Sequence, residues 1–155
     1  MIGHRLHYHR ELGAARSSRS GTGLDFVRSR LSEMADRLGN DVVQSAVLVS
    51  CELLSNACFH TRGPTGIDLE LDLDGGRLTI SVSDPSSREP HLRPFRPAAP
   101  HGHGLHIING LATAWGVTPR PHGKAVWATL AVPKLLSAAL RARGGGVRGV
   151  RKARE

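Results

Sequence analysis

The chain is 155 residues long, room for one domain of ordinary size, and with 39% hydrophobic but only 4% aromatic residues its core must be built from Leu, Val, Ile and Ala. Its longest wholly apolar stretches run a few residues, as in 46–49, short of the roughly 20 expected of a membrane span. The net charge of +8 sits at the two ends, because residues 24–140 carry eleven basic and eleven acidic side chains, and a neutral body argues against a nucleic-acid-binding domain.

Residues 1–23 hold four Arg and one Glu among His, Ser and Gly, and read as a basic, partly mobile arm with a short strand around 6–12. The opening residues lack the apolar region of a secretory signal, so a cytoplasmic protein without membrane contact is expected. From residue 24 the pattern turns helical: Leu24, Val27, Leu31, Met34 and Leu38 recur at threes and fours. Gly39-Asn40 stops that helix, and Asp41 is the expected N-cap of a second one running to about His60. Val43, Val47, Leu54 and Cys58 give the second helix an apolar stripe. Further apolar residues around its circumference predict burial on more than one side. Cys51 and Cys58 lie seven apart on it, about 10 Å along the axis, too far to form a disulfide with each other.

Two strands follow. Ile67, Leu69, Leu71 and Leu73 alternate with Asp68, Glu70, Asp72 and Asp74, Gly75-Gly76 makes the turn, and Leu78, Ile80 and Val82 alternate on the return. This predicts a hairpin with one buried and one wet face. Residues 85–101 contain five prolines and no periodicity, a loop long enough to be functional. Gly102 and Gly104 open a third helix with Leu105, Ile108, Leu111 and Ala112 on its inner side, and residues 115–118 and 125–132 read as two more strands. Residues 137–155 form a basic, low-complexity tail that is expected to be disordered, leaving 24–136 as the folded domain. The element order predicts an α+β protein: a two-layer α/β sandwich with helices on one face of a mostly antiparallel, mixed sheet.

Three segments carry chemistry. In ELLSNACFH (52–60), Glu52 and Asn56 project from one helix face about 40° apart. An Asn carbonyl suits Mg²⁺, which takes its remaining oxygens from water and phosphates, and a carboxylate one turn away can deprotonate a hydroxyl. Spacing alone favours two solvent-facing polar residues. In Ser83-Asp84-Pro85-Ser86 a carboxylate ends a strand, where it can accept from an exocyclic amine or simply begin a turn. In HGHGL (101–105), Gly102 and Gly104 let backbone amides approach a phosphate at a helix start, although helix starts often carry glycine for steric reasons. His101, His103 and His106 lack an adjacent Cys or acidic partner and read as loop and helix-start residues rather than a zinc site. Trp115 and Trp127 read as core, and Lys124 as a solvated turn lysine.

In order and spacing these segments resemble the N, G1 and G2 boxes of the GHKL (Bergerat-fold) ATPase superfamily, and within it the stand-alone anti-sigma factor serine/threonine kinases. The likeness rests on Glu-Leu-x-x-Asn-Ala-x-x-His at 52–60, Asp84, Ser86 and Pro90, the Gly-x-Gly-Leu helix ending in Trp115-Gly116, the strand GKAVWATL, and Arg28 in the first helix. The resemblance implies that Asn56 holds Mg²⁺ and that Asp84, with Ser86, binds the adenine end of ATP. It places Gly102, His103, Gly104 and Leu105 beside the phosphates and makes residues 85–101 a lid. Glu52 becomes the general base that accepts a serine or threonine proton during phosphoryl transfer. The implied partners are an anti-sigma-factor antagonist of STAS type and a sigma factor, exchanged by partner switching, and relatives of this kind often form homodimers. His103 stands where Arg is frequent and Ala125 where Thr is frequent. By the resemblance, the first departure loses or changes a phosphate contact and the second removes a hydroxyl able to support adenine binding. Together they keep open the alternative, a nucleotide-binding switch with little or no kinase activity, while the intact Glu52 argues for catalysis. A basic nucleic-acid-binding module is the weakest reading, because the body lacks interleaved aromatics.

Overall fold

The computed structural model describes residues 4–13, 19–88 and 104–133. Five strands, β1 (Arg5–Glu11), β2 (Gly66–Asp72), β3 (Arg77–Asp84), β4 (Ala114–Arg120) and β5 (Gly123–Ala131), form one sheet in the order β1-β2-β3-β5-β4. Three helices, α1 (Arg19–Leu38), α2 (Asn40–His60) and α3 (Gly104–Leu111), pack on it. All four strand ladders are antiparallel, so the sheet is not mixed as the element order suggested. The two-layer α+β sandwich itself is as expected.

Period-two patterning decides which face of the sheet the helices cover. Ile67, Leu69 and Leu71 of β2, Leu78, Ile80 and Val82 of β3, and Val126, Ala128 and Leu130 of β5 are all buried. Register places them side by side, Leu71 beside Leu78 beside Leu130, for example. The intervening residues, among them Asp68, Glu70, Thr79, Trp127 and Thr129, face the other side. The β2–β3 turn is longer than two glycines: Asp72 pairs with Arg77, leaving Leu73 in the turn rather than in the strand. Gly76 takes φ 64°, a left-handed conformation that glycine adopts without strain. Within residues 1–23 the expected short strand is edge strand β1, whose Leu6 and Tyr8 pack on the core, and α1 begins at Arg19, ahead of the Leu24 from which the helical pattern was read.

Helix α1 buries Val27, Leu31, Met34 and Leu38, with Leu24 half-buried and Gly23 in the deeper position. Gly23 allows close helix contact, since a Cβ there would stand 3.0 Å from Leu54 Cδ2. Gly39, at φ 83°, breaks the chain between α1 and α2 and is itself the N-cap. Asp41 therefore lies inside the first turn of α2, where its charge complements the helix dipole without capping. The deepest stripe of α2 is Val42, Ala46, Val49, Leu53 and Ala57, one position away from the expected one; Val43, Val47 and Cys58 are only partly buried. With apolar residues on nearly all sides, the choice of stripe falls to the neighbours, and α2 is enclosed by α1, α3, β3 and β5. By length and composition α2 is apolar enough to cross a membrane, which the short uninterrupted runs had concealed; here it is the central helix of the core. Leu111, expected to face inward from α3, is 38% exposed, because the helix ends there and Leu105 and Ile108 already fill the contact.

Candidate functional site

At one end of the sheet the apolar alternation on the helix-bearing face gives way to charge. Along β3 the series Leu78, Ile80, Val82 continues to Asp84; along β5 the series Leu130, Ala128, Val126 continues back to Lys124. Asp84 and Lys124 are register partners. Lys124 Nζ donates to Asp84 Oδ1 at 2.9 Å, with the side chains only 6% and 2% exposed respectively. Lys124 also donates to the Ser86 carbonyl at 3.2 Å. The Ser86 backbone N–H donates to the same Asp84 Oδ1 at 2.8 Å. These bonds fold residues 84–86 into a tight turn, and Ser86 Oγ extends the order by accepting from Arg88 N at 3.2 Å. Opposite them Gly123 adopts φ 148° with its Cα against the Asp84 carbonyl and Pro85, so any Cβ would overlap backbone atoms. That contact, rather than turn formation in general, requires glycine there.

The C-terminal end of helix α2, which carries its own polar pair, runs toward this end of the sheet. After α2 the chain turns back at 61–65, and Thr65 N donates to Ser83 O at 2.7 Å beside the end of β3. Glu52, one turn before Asn56, lies against the first residue of α3: a Cβ on Gly104 would stand 2.6 Å from Glu52 Oε2. Burial raises the Glu52 carboxyl above the ordinary carboxylate range, which makes it a better proton acceptor near neutral pH. Asn56 Nδ2 is buried and has no hydrogen-bond partner. A half-turn of the amide exchanges Nδ2 with Oδ1 and would place an unpartnered acceptor in the same spot. An unpaired buried N–H is costly, and with the amide turned the side chain offers the oxygen that Mg²⁺ prefers. Among the described residues no group of three or more His, Cys, Asp or Glu is placed to hold a metal ion. Mg²⁺ commonly takes most of its ligands from phosphate and water.

The other expected site residues divide. Gly104 opens α3, and Leu105 is buried in the core, leaving only its backbone available to a ligand. Gly102, His103 and most of the 85–101 loop lie outside the described residues. His60 is exposed in the last turn of α2. Cys51, beside Glu52, has its thiol pushed up by burial despite the opposing charge of Arg28, which suits a packing residue more than a nucleophile.

Three expectations reverse. Lys124 is buried and ion-paired rather than a solvated turn lysine. Extending the β5 alternation one step beyond Val126 would have placed it on the core face. Ala125 pairs with Ser83 and Thr118 and faces the opposite side of the sheet, so a missing hydroxyl there takes nothing directly from Asp84. Trp127 also belongs to that open face, its ring against Gly116, where a Cβ would meet Cζ2 at 2.9 Å; Trp115 does pack on the core. A recess of about 360 Å³ on the open face, lined by Arg5, Asp72, Arg77 and Trp127 among others, contains none of the residues expected to bind nucleotide or metal.

A family model for the histidine kinase-like ATPase domain matches residues 21–130, well over half of the chain. No curated protein matches it at a significant level.

Proposed function

The chain belongs to the histidine kinase-like ATPase domain family, of GHKL type, and from that premise we propose that it is a Mg²⁺-dependent protein serine/threonine kinase that acts on an anti-sigma-factor antagonist. ATP binding follows from the family. The observation that carries it is the α2–α3 contact. A half-buried carboxylate and an unpartnered buried amide share one helix face, and the carboxylate touches the glycine that opens the next helix.

Bound Mg·ATP supplies the phosphoryl group, and the chain's residues hold and orient the reactants. Asn56 presents its carbonyl oxygen to the metal, and Asp84 receives the amine of the base. Glu52, its proton affinity raised by burial, takes the proton from the partner's serine or threonine oxygen as that oxygen bonds to phosphorus and the bond to ADP breaks. Release of the antagonist's phosphorylated form, and retention of a sigma factor in the alternate state, would complete a partner-switching cycle.

A nucleotide-binding switch without transfer is the second reading. It is favoured by the Lys124 contacts, which tie the Asp84 carboxylate directly to the Ser86 carbonyl in the following loop. Thermal denaturation with ATP, with and without Mg²⁺, tests the common premise: wild type should be stabilised most by both together, and Asn56→Ala should lose the Mg²⁺-dependent part. Labelled ATP and the antagonist then separate the readings. Under the kinase reading Glu52→Gln abolishes transfer by about two orders of magnitude or more while nucleotide binding persists. A wild-type protein that binds ATP but transfers nothing to its antagonist leaves the switch.

A further inference from the structure

The Asp84–Lys124 pair leaves two hydrogen-bonding positions open. The carboxylate accepts twice on Oδ1, from Lys124 Nζ at 2.9 Å and Ser86 N at 2.8 Å, and Oδ2 accepts from none of the described residues. An ammonium carries three N–H groups; Lys124 commits one to Asp84 and one to the Ser86 carbonyl at 3.2 Å. One acceptor and one donor therefore remain next to each other, on the helix-bearing face, at the sheet end toward which the C-terminus of α2 runs. The base-pairing edge of adenine is their complement: an exocyclic amine that donates beside the ring nitrogen N1 that accepts.

We infer that Lys124 is a specificity-determining residue for the nucleobase, donating to N1 while Asp84 Oδ2 accepts from the amine. The inference rests on the ATP-binding reading above and adds a donor to it. Guanine in the same pose sets a carbonyl against the carboxylate and an N1–H against the ammonium, so like groups face each other at both points. Burial sharpens the effect. At 6% side-chain exposure the ammonium has little water to fall back on, and a hydrogen bond to a desolvated charge discriminates more strongly than one at the surface. The competing account is a structural pair that only fixes the 84–86 turn, and the two differ in how they respond to N1.

Calorimetric titration of the full chain with ATP and with 1-deaza-ATP, in which N1 is replaced by C–H, separates them. Wild type should bind ATP about tenfold more tightly than the analogue, the loss expected for a hydrogen bond to a charged donor. Lys124→Met should weaken ATP by about the same factor and bind both nucleotides alike. Lys124→Gln retains an N–H donor, should recover part of the gap, and covers the case in which the Met variant fails to fold. Equal binding of the two nucleotides by wild type overturns the inference. So does a Lys124→Met protein that weakens both and keeps the gap, or a Gln variant that recovers none of it. Wild type that binds neither nucleotide removes the ATP reading itself, and this inference with it, a result distinct from equal binding.

Discussion

The two halves of the site are built on opposite principles. At the β3–β5 end, Asp84 and Lys124 are deeply buried and satisfy each other, with Ser86 closing the arrangement. On helix α2, Glu52 at the α3 contact has its proton affinity raised by burial, and one turn on the buried Asn56 Nδ2 lacks a hydrogen-bond partner. The first half is charge-paired within the fold, with one acceptor and one donor to spare; the second keeps a buried N–H unpaired, at a cost in stability. Polar residues in the first therefore hold the protein together, whereas those in the second strain it slightly. The same class of substitution should act with opposite sign in the two places.

The largest expected effect is at Asp84. Asp84→Ala leaves a buried ammonium without its counter-charge and should cost about 3–5 kcal/mol, read as a lower urea midpoint in the absence of nucleotide. Asn56→Ala should do the reverse or nearly nothing: removing a buried N–H with no partner leaves nucleotide-free stability within about 1 kcal/mol of wild type, even though it removes the metal-dependent stabilisation. Equal losses at the two positions would erase the contrast between the halves.

The smallest effect concerns Glu52 and appears only as a dependence on pH. Its carboxyl is raised in the fold above its ordinary value of 4.5, so the folded state binds that proton more tightly than the unfolded state. The associated stability is fully present below that ordinary value and is lost as pH rises through the raised one. Subtracting Glu52→Gln from wild type across pH 4–8 should isolate this: the wild-type protein loses ground against the variant as pH rises, by a modest amount because the side chain is not fully buried. A wild-type protein that instead loses ground against the variant as pH falls would mean that the carboxylate is stabilised at the α3 start, and that the base role rests on the wrong electrostatics.

Much of the frame was legible in the residues. Threes and fours along α1 and alternation along β2 and β3 follow from hydrophobic faces that any packing of these elements must bury, and both recur in the structure. The Glu52–Asn56 spacing placed two polar groups on one face of α2 whatever the tertiary context. Where many residues were apolar, as on α2, periodicity lost its power, and the buried stripe was set by the neighbours instead. The capping role moved from Asp41 to Gly39 for a related reason: the chain reverses direction between α1 and α2, and only the glycine takes the positive φ at that corner.

What the sequence determined by itself is therefore local: which segments are helices and strands, which side of each is apolar, and which polar residues stand one turn apart. Strand order, register and the face on which a residue emerges were decided only by the tertiary structure. Lys124 and Asp84 stand 40 positions apart, and nothing local links them. Their meeting depends on β5 inserting beside β3 in one register, and a slip of one residue would exchange Lys124 for Ala125 on the opposite face. An ion pair between strands distant in the chain is a property of the assembled sheet, because burial and partner are both supplied by neighbours that the segment does not contain.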